Sequence, residues 1–187
     1  MPHILRSDFQ YTPLFCEENI WKLIESLYIN PLAKPIDVIF ILNSNETIAL
    51  FGQQKSKSSQ PVIWDYHVIL TAYFEDEIVV FDFDSRCDFP IRLSEYFALS
   101  FPEKITLHPT YQPLLKAISA NKYFKYFYSD RQHMTGIINK NEFPQYEIIT
   151  PINRTEQLSL KQCRSTDTTI CNTKLVSPEA YLKQALP

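Results

Sequence analysis

Cys16, His67 and the aspartates at 82 and 84 are the residues of this chain whose types suit nucleophilic chemistry on a carbonyl. In such chemistry a thiolate attacks, an imidazole moves the proton, and a carboxylate holds the imidazole's tautomer and orientation. Cys16 opens the run CEENIWKLIESLY, in which Ile20, Leu23, Ile24, Leu27 and Tyr28 recur at i, i+3, i+4, i+7 and i+8. That spacing predicts a core-packed helix that starts close to Cys16 and ends at Asn30-Pro31. At a helix start, unpaired N–H groups and the dipole favour an anion and lower a thiol's pKa. Glu17 and Glu18 oppose this with nearby negative charge, so a thiolate at Cys16 needs an imidazolium partner.

His67 lies in the strand-like run VIWDYHVILTAY, Val62 to Tyr73. Period-2 alternation places it on one face with Ile63, Asp65 and Ile69, and turns Val62, Trp64, Tyr66, Val68 and Leu70 the other way. A histidine among apolar strand residues reads either as a satisfied structural side chain or as a functional one. A second run, Ile78 to Phe83, follows the acidic stretch FEDE, which predicts an antiparallel hairpin. With Phe74-Glu75 as its loop, His67 opposes Asp82; with Glu75-Asp76 as its loop, His67 opposes Asp84. Either register leaves a carboxylate opposite or diagonal to the imidazole, about 5–8 Å away between Cβ atoms. Strand-end solvation explains Asp84, in the turn-like Asp84-Ser85-Arg86, better than it explains Asp82. The residue pattern leaves the choice open.

These side chains need a framework, and the composition provides for one. The chain has 187 residues, 45% hydrophobic and 14% aromatic, enough for a packed interior and a single α+β domain over residues 1–187. Asp37 to Leu42 reads as a buried central strand and Thr47 to Phe51 as a second, followed by a polar loop from Gln53 to Gln60. Leu114 to Ala120 and Tyr123 to Tyr128 mix apolar and basic residues. Ser177-Pro178-Glu179 has the N-cap, first-turn proline and acidic residue that open a terminal helix. The net charge of −3, with no basic run of five, argues against nucleic acid as a partner. No apolar run approaches the roughly 18 residues that span a bilayer, and MPHILRSDFQY has no signal-like apolar core. With only Gly52 and Gly136, phosphate-cradling glycine loops are excluded. The four cysteines, at 16, 87, 163 and 171, are irregularly spaced, and the histidines at 3, 67, 108 and 133 show no zinc-ligand spacing. The expectation is a cytoplasmic monomer that needs no metal and no cofactor, with Cys87, Cys163 and Cys171 as packing or surface thiols.

Four blocks, FCEENIWKL (Phe15–Leu23), PVIWDYHVIL (Pro61–Leu70), FDFDS (Phe81–Ser85) and SDRQHM (Ser129–Met134), resemble the protein N-terminal glutamine amidohydrolase family. The resemblance runs from about Tyr11 to Tyr146 and is loose in the last forty or so residues. It implies deamidation of an N-terminal glutamine to glutamate in the N-degron pathway, in the cytoplasm and, in a eukaryote, the nucleus as well. It also implies a papain- or transglutaminase-like core, in which an antiparallel sheet packs against the helix carrying the cysteine. The family's triad falls on Cys16, His67 and Asp82, which selects Asp82 over Asp84. The chain departs from the family at FEDE, where glycine-containing loops are usual.

This chemistry passes through a thioester, and its oxyanion needs donors. The N–H of Cys16 is one, and Gln53, Gln54 and Trp64 are candidates for the second. A free α-ammonium needs a carboxylate; Asp65 is the first choice, with Glu17, Glu18 and Asp84 as alternatives and Trp64 as a further substrate contact. In SDRQHM, Arg131 and Asp130 suit a local ion pair, and His133 is the alternative base. The rival readings are another cysteine amide hydrolase, either a peptidase or a deamidase of internal glutamines, and a non-enzymatic module that reads N-terminal residues.

Overall fold

The computed structural model describes residues 4–152, 156–170 and 173–186. Helix α1, Cys16–Ile29, forms where the apolar stripe predicts it, with Ile20, Leu23, Ile24 and Leu27 essentially inaccessible to solvent. The residue before it, Phe15, has no side-chain acceptor to cap the first turn. Asn19 reaches back instead. Its Oδ1 accepts from the Thr12 N–H at 2.8 Å, and its Nδ2 donates to the Thr12 carbonyl at 2.8 Å, tying the incoming chain to the helix.

Strand β1, Lys34–Leu42, is central in a six-stranded sheet with β4 (His67–Phe74), β5 (Glu77–Phe81), β6 (Ile91–Arg92), β7 (Leu114–Ser119) and β8 (Leu175–Val176). The order is β8-β7-β1-β4-β5-β6, and each pairing is antiparallel. Alternation sorts the strands into two cores. Val38 and Phe40 of β1, Val68 and Leu70 of β4, and Val79 and Phe81 of β5 pack toward α1. Ile39, Ile41, Ile69 and Val80 face α2 (Leu93–Ser100) and α4 (Pro178–Ala185). Helix α3, Ala120–Tyr126, flanks α1, with Phe124 stacked on Trp21 at 4.9 Å. Each such apolar side chain contributes roughly 1.5–3 kcal/mol on burial. Among the described residues no helix is long and apolar enough to cross a membrane. The terminal helix opens as its sequence predicts, Ser177 Oγ accepting the Ala180 N–H at 3.2 Å.

Two local outcomes differ from the sequence pattern or decide between its alternatives. The expected continuous strand from Val62 to Tyr73 is two strands. Strand β3, Val62–Trp64, pairs with β2, Ile48–Leu50, in a separate two-stranded sheet, and β4 begins at His67. Asp65 causes the break: its Oδ1 accepts the N–H of Tyr66 at 3.0 Å, a local bond that competes with the strand ladder. The β4–β5 hairpin takes the Glu75-Asp76 loop, with Leu70 opposite Phe81 and Phe74 opposite Glu77. Both loop residues are left-handed, at φ +48° and +64°, the backbone hand that matches strand twist in a two-residue turn.

Candidate active site

Cys16 is the first residue of α1 and is only partly exposed. Its thiol meets the backbone N–H of Val68, in β4, and donates to Glu17 Oε2 at 3.6 Å. Burial, then the charges of Glu17 and Asp84, push the thiol well above its ordinary 9.0 against the pull of the Val68 amide. The lowering expected from a helix start is therefore outweighed, because the desolvation cost of a buried anion is larger.

His67 opens β4 and is 1% exposed. Its Nε2 lies 2.8 Å from Asp82 Oδ1. Proton donation from Nε2 to that carboxylate leaves Nδ1 as the lone-pair nitrogen, and Nδ1 is buried with no hydrogen-bond partner among the described residues. Burial by itself lowers the imidazole's pKa; the charge and hydrogen bond of Asp82, with Asp84 and Glu17 behind it, overcome this and raise it above 6.5.

Asp82 follows β5 directly, and four hydrogen bonds fix it. Oδ1 takes His67 and the Asp84 N–H at 2.9 Å; Oδ2 takes Gln53 Nε2 at 3.0 Å and Tyr96 Oη at 2.8 Å. Burial raises a carboxyl's pKa, but the imidazole and these donors prevail and hold Asp82 below its ordinary 3.8. The hairpin register aligns His67 with Asp84, but the ladder ends at Phe81, so the imidazole bonds the diagonal carboxylate. Asp84 instead accepts from Tyr11 Oη at 2.6 Å. Tyr96, from α2, carried no signal in the sequence. Gln53 is placed by Gly52, whose φ of +69° turns the chain so that Gln53 bridges Ser85.

The remaining candidates separate. Asp65 is exposed and faces Arg164 Nη2 at 3.4 Å, away from His67, because the break at 65–66 inverts the alternation. For the same reason Trp64, expected on the opposite face, stacks on the His67 ring with centroids 5.3 Å apart; its Nε1 is buried with no partner among the described residues. Gln53 and Gln54 are not free as oxyanion donors: Gln53 Nε2 serves Asp82, and Gln54 Nε2 donates to the carbonyls of Phe83 and Ser85 at 3.3 and 3.0 Å.

Glu17 and Glu18 are both fully buried. Arg131 grips Glu18 through Nε to Oε1 and Nη2 to Oε2, each at 2.9 Å, and Ser129 Oγ donates to Oε1 at 2.6 Å. The expected pair of Arg131 with Asp130 does not form; Asp130 is exposed and accepts the Gln132 N–H. Glu17 Oε2 accepts from Tyr66 Oη at 2.9 Å, while Oε1 lies 3.3 Å from His133 Nε2. His133 is thus beside Glu17, and Asp82 pairs with His67 alone of the two. Cys87 is partly buried near Ser85, Cys163 is buried, and Cys171 and His3 lie outside the described residues.

Histidine spacing gave no metal set, but the fold brings His67, Asp82 and Asp84 ligand atoms within 4.8 Å of one another. Both Asp82 oxygens are already engaged by the four bonds above, an arrangement suited to orienting an imidazole rather than to coordinating an ion. A partly protected thiol, an imidazole with one free nitrogen and a fixed carboxylate can carry out acyl transfer.

The family model for N-terminal glutamine amidase matches residues 11–182. Among curated proteins, protein N-terminal glutamine amidohydrolase of Danio rerio is 38% identical over 128 residues, 66% of this chain and 63% of that protein. The protein of the same name from Arabidopsis thaliana is 35% identical over 134 residues, 67% and 61% of the two chains. That from Homo sapiens is 35% identical over 128 residues, 66% and 62%. The chain spans little more than three-fifths of the length of these relatives.

Proposed function

The chain belongs to the N-terminal glutamine amidase family, and from that premise we propose that it hydrolyses the side-chain amide of an N-terminal glutamine to glutamate and ammonia. Cys16 is the nucleophile, His67 the proton carrier and Asp82 its orienting carboxylate. The observation that carries this reading is the His67–Asp82 bond of 2.8 Å with Nδ1 left unpartnered, on the residue next to the Val68 amide that meets the Cys16 thiol.

In the first half-reaction His67 Nδ1 takes the thiol proton as Sγ attacks the side-chain amide carbon. The oxyanion lies at the uncapped start of α1, where the Cys16 N–H is available, and Trp64 Nε1 is the candidate second donor; one such donor supplies roughly 10²–10³ in kcat. Nδ1–H then passes its proton to the amide nitrogen, the C–N bond breaks, and ammonia leaves a thioester. In the second half-reaction Nδ1 takes a proton from water, the oxygen attacks the thioester, and the C–S bond breaks. The proton returns to sulfur, and glutamate is released. Asp82 stays ionised and stabilises the imidazolium in both halves.

On this reading residues 1–187 form one catalytic domain with a papain- or transglutaminase-like core, acting as a cytoplasmic monomer at the deamidation step of the N-degron pathway. Substrates are proteins or peptides with a free N-terminal glutamine. The test is ammonia release from Gln-Xaa peptides, with intact-mass analysis alongside. The expected result is ammonia with an uncut backbone, and none from N-acetylated or internal glutamine. Backbone cleavage would point to a peptidase, equal rates on internal glutamine to a general deamidase, and binding without turnover to a recognition module.

A further inference from the structure

Among the carboxylates around Cys16, Glu17 alone combines complete burial with an oxygen that has no hydrogen-bond partner among the described residues. Glu18 is saturated by Arg131 and Ser129, Asp82 holds four hydrogen bonds, Asp84 takes the Tyr11 hydroxyl, and Asp65 is exposed. The second unpartnered atom is His133 Nε2, also buried, 3.3 Å from Glu17 Oε1 but not aligned for a hydrogen bond with it. The two atoms lie at ion-pair distance without a hydrogen bond between them, so a third group carrying N–H donors can complete both.

We propose that Glu17 Oε1 and His133 Nε2 together form the subsite that receives the α-ammonium of the substrate's N-terminal glutamine. This rests on the hydrolase reading given above. An ammonium has three N–H donors; the carboxylate oxygen and a neutral imidazole nitrogen accept two of them. The dimensions agree. In glutamine the α-nitrogen and the side-chain amide carbon are separated by three carbons, roughly 5 Å when extended, and Glu17 Oε2 is 3.6 Å from the Cys16 sulfur. An amine on Oε1 therefore leaves the amide carbon within reach of Sγ.

The subsite is rigid. Tyr66 Oη holds Oε2 at 2.9 Å, Tyr123 Oη holds the Glu17 carbonyl at 3.0 Å, and Phe15 packs its ring against the edge of His133. On its outer side, His133 lines a cavity of roughly 590 Å³ together with Tyr128, Gln132 and Arg164. On this proposal, the substrate's second and later residues lie along that cavity. Recognition and reactivity are then coupled, because an ammonium on Glu17 neutralises the charge nearest the sulfur and eases thiolate formation. A substrate without the amine loses kcat as well as affinity.

The experiment compares a Gln-Xaa peptide with its des-amino counterpart, hydrogen replacing the α-amine, on wild type, Glu17→Gln and His133→Asn. Wild type should favour the free amine by roughly 10²-fold or more in kcat/KM, the value of a charge-assisted pair in a buried site. Glu17→Gln should cut that preference at least about tenfold, with the larger loss falling on the free-amine peptide. His133→Asn should cut it less, and it serves if Glu17→Gln does not fold. Slowing both substrates equally, with the preference intact, overturns the subsite and leaves the hydrolase reading standing. Wild type that turns over both peptides equally also overturns the subsite, and wild type that turns over neither overturns both.

Discussion

His67 Nε2 and Asp82 Oδ1 are 2.8 Å apart, although the hairpin ladder would align His67 with Asp84. The bond runs diagonally because β5 ends at Phe81 and Asp82 is pulled in by Gln53 and Tyr96. The reactive form of the proposed relay holds one proton between Cys16 and His67; below the His67 pKa the pair holds two and is inactive. Asp82 raises that pKa above 6.5, and burial with Glu17 raises the thiol above 9.0. The acid limb of kcat/KM should therefore fall above pH 6.5 and the alkaline limb above 9. Asp82→Asn removes the attraction and leaves burial, so the acid limb should move below 6.5 while kcat drops by roughly 10³–10⁴-fold. A pH profile of the two proteins checks both statements.

Glu17 is the leading charge that holds the Cys16 thiol protonated. Iodoacetamide should accordingly alkylate Cys16 slowly at neutral pH in the wild type. Glu17→Gln should accelerate this by about tenfold for each pKa unit recovered, since the thiolate is the reacting species. Mass mapping of the alkylated site gives the rate, and an unchanged or slower rate would contradict the assignment.

The Arg131–Glu18 pair is structural. Arg131 is held at φ +59°, its guanidinium also donates to the Pro144 and Tyr146 carbonyls, and Glu18 has no exposed surface. Breaking a buried pair strands a charge, so Arg131→Met should destabilise the fold by about 3–5 kcal/mol, and pairing it with Glu18→Leu should recover a large part of that. Urea denaturation of the single and double variants is the measurement.

The hairpin turn stores removable strain. Glu75 and Asp76 occupy left-handed backbone that asparagine and glycine adopt more readily. Glu75→Asn with Asp76→Gly should stabilise by about 1 kcal/mol, or about 2–4 °C in Tm, without changing activity. A lower Tm would show that the acidic side chains make compensating contacts.

Much of the framework was legible because it is periodic. The α1 stripe, the hairpin, the buried central strand and the Ser177 cap each follow from spacing or cap chemistry, and Cys16 at the head of α1 follows from the stripe. The resemblance chose Asp82, and the imidazole's bond goes there. What could not be read depends on one local side-chain bond and on contacts between distant segments. Asp65 looked like His67's neighbour until its own side chain broke the strand. Arg131 looked like Asp130's partner, yet a buried guanidinium requires a carboxylate that is also buried, and Glu18, 113 residues away, supplies it. Tyr96 and Gln53 reach Asp82 from a helix and a loop whose sequences carry no sign of it.

The most direct measurement is ammonia release from a free Gln-Xaa peptide by wild type, Cys16→Ser, His67→Ala and His133→Ala under identical conditions. The account predicts that the first two variants lose roughly 10⁴-fold or more in kcat, because members of one relay fail together, and that His133→Ala retains measurable turnover. Wild-type rates from Cys16→Ser, or a loss confined to His133→Ala, would contradict it.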